Sequence, residues 1–109
     1  MTVPRGFDSI TLARLRQIPL ETAWAALTFR VRADPSYKPV KDSASRRWHI
    51  TSSRGEFELL TTGLKWYDIR ARRGGGGAID LTMHLLGLSF VESVKFLIEA
   101  AGSHGSYRP

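Results

Sequence analysis

The chain has 109 residues, 42% hydrophobic and 10% aromatic, which suffices for one domain with a modest core and not for two. Its formal net charge is +6, and eleven of the sixteen basic residues against five of the ten acidic ones lie between Arg30 and Arg73. Without cysteine it has no disulfide, thiolate nucleophile or thiolate metal site, and no run approaches the ~18 apolar residues of a membrane span. No signal peptide is legible at the N-terminus, so the expected location is cytoplasmic.

Residues 1–8 read as a flexible lead-in, 9–102 as one domain and 103–109 as a flexible tail. Ser9 or Thr11 can cap a short helix carrying Leu12 and Leu15. After Pro19, Leu20, Ala23, Trp24 and Leu27 recur at helical spacing, giving a second short helix with one apolar face. Pro35 and Pro39 bracket a loop.

From Arg46 the period changes. Trp48 to Ser52, Phe57 to Thr62 and Lys65 to Ile69 are rich in aromatic and β-branched residues and are separated by Ser53-Arg54-Gly55 and Gly63. They predict a small three-stranded antiparallel meander. One face buries Trp48 or Ile50 with Phe57 and Leu59, and the other shows Arg46, His49, Glu58 and Lys65.

Beyond Gly74 to Gly77, the stripe of Ile79, Thr82, Met83 and Leu86 predicts a helix ended by Gly87. Ser89 and Glu92 have capping-box spacing ahead of a last helix that carries Val91, Val94, Leu97, Ile98 and Ala101 up to Gly102. The expected fold is α+β, with two short helices, a three-stranded sheet, and a two-helix hairpin packed on one sheet face.

Two constellations bear on function. Arg70, Arg72 and Arg73 precede four glycines and a helix N-terminus, an arrangement that lets a phosphate approach backbone N–H groups. A Walker-type loop is excluded because no Gly-Lys-Ser/Thr follows, and Asp80 in the first turn suits the helix dipole. The competing reading of the glycines is a flexible strand-to-helix turn. The second constellation interleaves aromatic and basic residues along the strands: Arg46, Arg47, Trp48, His49, Arg54, Lys65, Trp66, Tyr67 and Arg70. Rings of this kind stack single-stranded bases while the cations track phosphates. Adjacent strand residues face opposite ways, so Trp66 and Tyr67 cannot both be buried on one face.

Catalytic and metal chemistry have little to stand on. His49, His84 and His104 are widely spaced, His84 sits at i+4 from Asp80 as a helix-stabilising pair would, and a pairing of Asp68 with His49 has no motif behind it. No hydrolase motif is present. The chain is therefore expected to be no enzyme, and to need neither cofactor nor metal.

The segment Gly76-Gly77-Ala78-Ile79-Asp80-Leu81, followed by Leu88-Ser89-Phe90-Val91-Glu92-Ser93-Val94, resembles the C-terminal half of the zinc-binding domain of bacterial DNA primases. With Lys65-Trp66-Tyr67-Asp68 ahead of Gly74 to Leu85, the likeness is closer to the cysteine-free version found ahead of Toprim domains in primase-like proteins of plasmids and integrative elements. It covers residues from about Leu12 to Ile98 and places Ile69 and Arg72 where the second cysteine pair of the zinc form lies.

The resemblance implies a zinc-free module that engages single-stranded DNA as an accessory in mobile-element replication or conjugative transfer. Its contacts would come from Arg46, Arg47, Trp48, Arg54, Lys65, Trp66, Tyr67, Arg70, Arg72, Arg73, Gly74 and Gly75. The alternative is a regulatory module that docks a primase, helicase or relaxase. Steep salt dependence of binding separates the two.

Overall fold

The computed structural model describes residues 7–27 and 30–105, with side chains to residue 100. Residues 1–6 of the expected lead-in and 106–109 of the expected tail lie outside the described residues.

Asp8 caps the first helix, α1 (Ser9–Arg16), by accepting a 2.7 Å hydrogen bond from the Thr11 N–H, so the cap precedes both sequence candidates, Ser9 and Thr11. α2 (Leu20–Leu27) buries Leu20, Ala23, Trp24 and Leu27, the predicted face. Five strands follow: β1 (Arg30–Ala33), β2 (Arg46–Ser52), β3 (Gly55–Thr62), β4 (Lys65–Asp68) and β5 (Arg73–Gly76). They form one antiparallel sheet in sequence order, β1-β2-β3-β4-β5. α3 (Gly77–Leu86) and α4 (Phe90–Gly105) complete the chain, and no single helix among the described residues is long and apolar enough to cross a membrane.

The expected three-stranded sheet is thus corrected to five strands, within an α+β fold. β1 escaped notice because Arg30-Val31-Arg32-Ala33 alternates over only four residues and has a single β-branched side chain. It is a strand because its backbone pairs with β2, with Val31 opposite Ile50. β5 escaped because Arg73-Gly74-Gly75-Gly76 has no strand propensity at all. It is held as an edge strand against β4, and Gly75 is required there. A Cβ at Gly75 would lie 2.7 Å from Trp66 Cζ2, so the absent side chain is what lets the indole lie against the strand. The glycines are therefore ladder residues and not a flexible turn.

Register fixes the two faces of the sheet. Trp48, Ile50 and Ser52 of β2 lie opposite Leu59, Phe57 and Gly55 of β3, and Thr61 and Leu59 lie opposite Trp66 and Asp68 of β4. This face meets the helices. Trp24 of α2 packs edge-on against Trp48 at 4.7 Å, the Ser52 hydroxyl donates to the Leu85 carbonyl of α3 at 3.0 Å, and Trp66 stacks on His84 of α3 at 4.8 Å. Ile50, Leu59, Ala78, Leu81, Leu85 and Val94 form the center of the core, each no more than 1% exposed.

The helix termini are satisfied locally. Gly87 takes φ 69° and donates its N–H to the Met83 carbonyl, the left-handed cap that ends α3. The capping box of α4 is closed in both directions, Ser89 N–H to Glu92 Oε1 at 2.9 Å and Glu92 N–H to Ser89 Oγ at 3.1 Å. α4 continues past the predicted end at Gly102 to Gly105.

Candidate nucleic-acid interface

The second sheet face carries Arg30 and Arg32 of β1, Arg47 and His49 of β2, Glu58 and Leu60 of β3, and Lys65 and Tyr67 of β4. Among the described residues the helix–sheet side-chain contacts fall on the opposite face, leaving this open face with Arg30, Arg32, Lys65 and Tyr67 exposed and Arg47, His49, Glu58 and Leu60 half-buried. Its basic character follows from alternation: the residues interleaved with Val31, Trp48 and Trp66 are Arg30, Arg32, Arg47, His49, Lys65 and Tyr67.

The center of the open face is an ion-pair network. Glu58 receives Arg47 at 3.1 Å, His49 at 3.3 Å and Arg70 at 3.8 Å, while Asp34 lies 3.6 Å from Arg47 and 3.5 Å from His49. Asp34 also accepts from the Ser36 hydroxyl at 2.6 Å and the Ser36 N–H at 2.9 Å, and these bonds hold its carboxyl below the usual range. Arg47 is thereby committed to two carboxylates. Arg30, Arg32 and Lys65 flank the network.

Tyr67 is the ring the open face offers, 43% exposed. It stands opposite Gly74 of β5, and a Cβ there would come within 3.2 Å of its ring, so the phenol leans over the bare edge strand.

The sequence-derived site residues divide among three places. Arg47, Lys65, Tyr67 and Gly74 share the open face. Arg54, Arg70 and Arg72 stand in turns at one end of the sheet and Arg73 opens β5 there, and Arg54, Arg70 and Arg73 help to line a cavity of about 670 Å³. Arg46, Trp48, Trp66 and Gly75 fall on the helix side and leave the candidate stacking surface. Trp66 is 4% exposed, and Trp48 is half-buried against Trp24 with its Nε1–H donated to Thr61 Oγ1 at 2.9 Å. Arg46 lies opposite Thr61 and binds the Ser43 and Ser45 carbonyls, each at 2.9 Å. Stacking on Trp48 and Trp66 is corrected for the same reason: both occupy alternate positions shared with the core residues Ile50 and Leu59.

Three features were missed by sequence reasoning. Arg30 and Arg32 join the open face only because β1 is a strand. His84 does not pair with Asp80, nor Asp68 with His49. Instead His84 Nε2 and Asp68 Oδ2 are 2.6 Å apart, with side chains 10% and 3% exposed, and the imidazole lies between Trp66 and Phe57. Asp80 Oδ2 accepts from the Gly76 N–H at 3.2 Å. The signal for the first pair was present: once Trp66 points inward, Asp68 two residues on must too, and a buried carboxylate needs a partner.

The chain is 31% identical over 103 residues to the "65 kDa protein" of Zymomonas mobilis subsp. mobilis, an alignment covering 90% of this chain and 16% of that protein. No family model and no solved structure matches it. The chain is thus similar to a stretch about one-sixth the length of that larger protein.

Proposed function

We propose that this chain is a nucleic-acid-binding module that takes a single strand across the open face of its sheet, as an accessory in replication or transfer of a mobile element. The observation that carries the reading is the face itself: Arg30 and Arg32 on its β1 edge, and Lys65 with the exposed ring of Tyr67 three strands away on β4. Cations there meet phosphates and the ring takes a base, which yields affinity with little sequence preference. The resemblance to primase modules supports the choice of DNA. Mobile-element replication rests on that resemblance alone.

The test is fluorescence anisotropy with labeled single-stranded and duplex DNA at several salt concentrations. Three phosphate contacts give a slope of log K against log salt of about −2 for a single strand. Tyr67→Ala weakens binding by about 1–3 kcal/mol, and Lys65→Ala flattens the slope by about 0.7. Absence of binding at low salt, or salt-independent binding unaffected by both substitutions, overturns the reading and directs attention to a protein partner.

A further inference from the structure

The cavity at the end of the sheet is built from two hairpin turns and the elements beside them. Arg54 comes from the β2–β3 turn, Arg70 and Arg73 from the ends of the β4–β5 turn, and the apolar wall from Phe57, Met83 and Leu88. The turns are held in place by interior bonds. Ser52 Oγ donates to the Leu85 carbonyl and accepts from the Arg54 N–H at 3.1 Å, fastening the first turn to the end of α3. The Arg54 guanidinium lies over Gly87, where a Cβ would collide with it. Asp68 Oδ1 accepts from the Ala71 N–H at 2.9 Å, closing the second turn.

Two acids also line the cavity, Asp68 and Glu56. Asp68 is hydrogen-bonded to the Ala71 N–H through one oxygen and to His84 through the other. Three guanidiniums stand against two carboxylates in the lining, a net excess of one cation, and Arg70 is shared with Glu58 at 3.8 Å. Arginines suit phosphate through paired N–H donors, and apolar lining residues suit a flat ring. A volume of about 670 Å³ falls in the range of small-ligand sites.

The cavity shares lining residues with a cleft that reaches the open face. Glu56, Phe57 and Arg70 also line a small cleft with Arg30, Arg32 and His49, so Arg70 stands where one basic surface turns into the other. We infer that this cavity is a nucleoside-phosphate site, in which Arg54, Arg70 and Arg73 hold the phosphate and the Phe57, Met83 and Leu88 wall takes the base. The nucleotide is either the phosphate-bearing end of a strand whose remainder crosses the open face or a free nucleotide. The strand-end source rests on the function proposed above.

The experiment compares internally labeled oligonucleotides bearing a 5′-phosphate, a 3′-phosphate or no terminal phosphate, together with circular single strands. Unlabeled dTMP and dTTP serve as competitors and, by calorimetry, as ligands. Arg73→Ala and Arg73→Lys are tested beside the wild type, with near-ultraviolet circular dichroism to verify folding; Arg73 is exposed and leaves the core intact. The expected result is about a tenfold preference for one phosphorylated end, or competition by the free nucleotide, lost in Arg73→Ala and partly restored in Arg73→Lys.

Equal affinity for all ends with no nucleotide binding, while strands still bind, overturns the cavity and leaves the strand-binding face standing. A preference untouched by Arg73→Ala also overturns it. Arg73-dependent binding of nucleotides without any strand binding retains the cavity and removes the face. Failure of strands and nucleotides alike overturns both.

Discussion

Replacing Gly75 with alanine puts a methyl group 2.7 Å from Cζ2 and 3.0 Å from Cε2 of Trp66, and 3.1 Å from Asp80 Oδ2. Carbon atoms in contact prefer about 3.5–4.0 Å, so the indole must retreat by close to 1 Å. It has nowhere to go, being 4% exposed and stacked at 4.8 Å on an imidazole that is itself bonded to Asp68. Overpacking at such a site costs about 1–3 kcal/mol, which for a chain of this size lowers Tm by roughly 4 °C or more per kcal/mol. The two neighboring glycines supply the comparison. At Gly76 a Cβ meets nothing nearer than the Leu64 carbonyl at 4.0 Å, and Gly76→Ala is expected to stay within about 0.5 kcal/mol of wild type. At Gly74 the methyl approaches Tyr67 at 3.2 Å and the Trp66 carbonyl at 3.1 Å, but Tyr67 can swing into solvent, so the cost is intermediate. Thermal denaturation followed by tryptophan fluorescence reads all three. Equal stability of the Gly75 and Gly76 variants would refute the packing argument and return the glycines to the status of a flexible connection.

Asp68→Ala removes the partner of a buried imidazole and the acceptor of the Ala71 N–H, and is expected to cost about 3 kcal/mol in urea denaturation, with Asp68→Asn less harmful. Arg72 is a non-glycine residue at φ 56°, so Arg72→Gly should raise stability by about 0.5–1 kcal/mol, even if loss of the cation weakens DNA binding. Asp34 has a folded pKa below its ordinary value of 3.8, so its stabilizing contribution is complete above that pH and is lost as the pH falls through the lowered value. Asp34→Asn should therefore show a shallower loss of stability than wild type on acidification below about pH 4, measured by denaturation across that range.

How much of this was legible depended on whether a residue's environment is local. α2, the Gly87 cap and the Ser89–Glu92 box were readable because spacing of three or four residues is what a helix registers. Arg30 to Ala33 and Arg73 to Gly76 were not, since an edge strand is defined by what it pairs with, and neither segment carries the side chains that announce a strand. The aromatic residues were legible in number and not in side: alternation required Trp66 and Tyr67 to part company, but only α3 and its His84 decide that the indole goes inward. Asp68 and His84 are 16 residues apart, beyond any local pattern, and the nearer Asp80 was the natural false partner. The arginines of the β4–β5 turn were identified as a cluster, while their meeting with Arg54 depends on two hairpin turns reaching the same end of the sheet.

The strict sequence order of the strands also bears on how the chain reaches this state. β2 to β5 are joined by turns of two to four residues, so each new strand docks on the one just made, and little loop entropy is spent before hydrogen bonds form. The slower closures are those that bring α3 back over the sheet, Ser52 to Leu85 across 33 residues and Asp68 to His84 across 16. Folding kinetics should accordingly show substitutions in the meander slowing the forward rate, and substitutions at Asp68 or His84 chiefly speeding the reverse one.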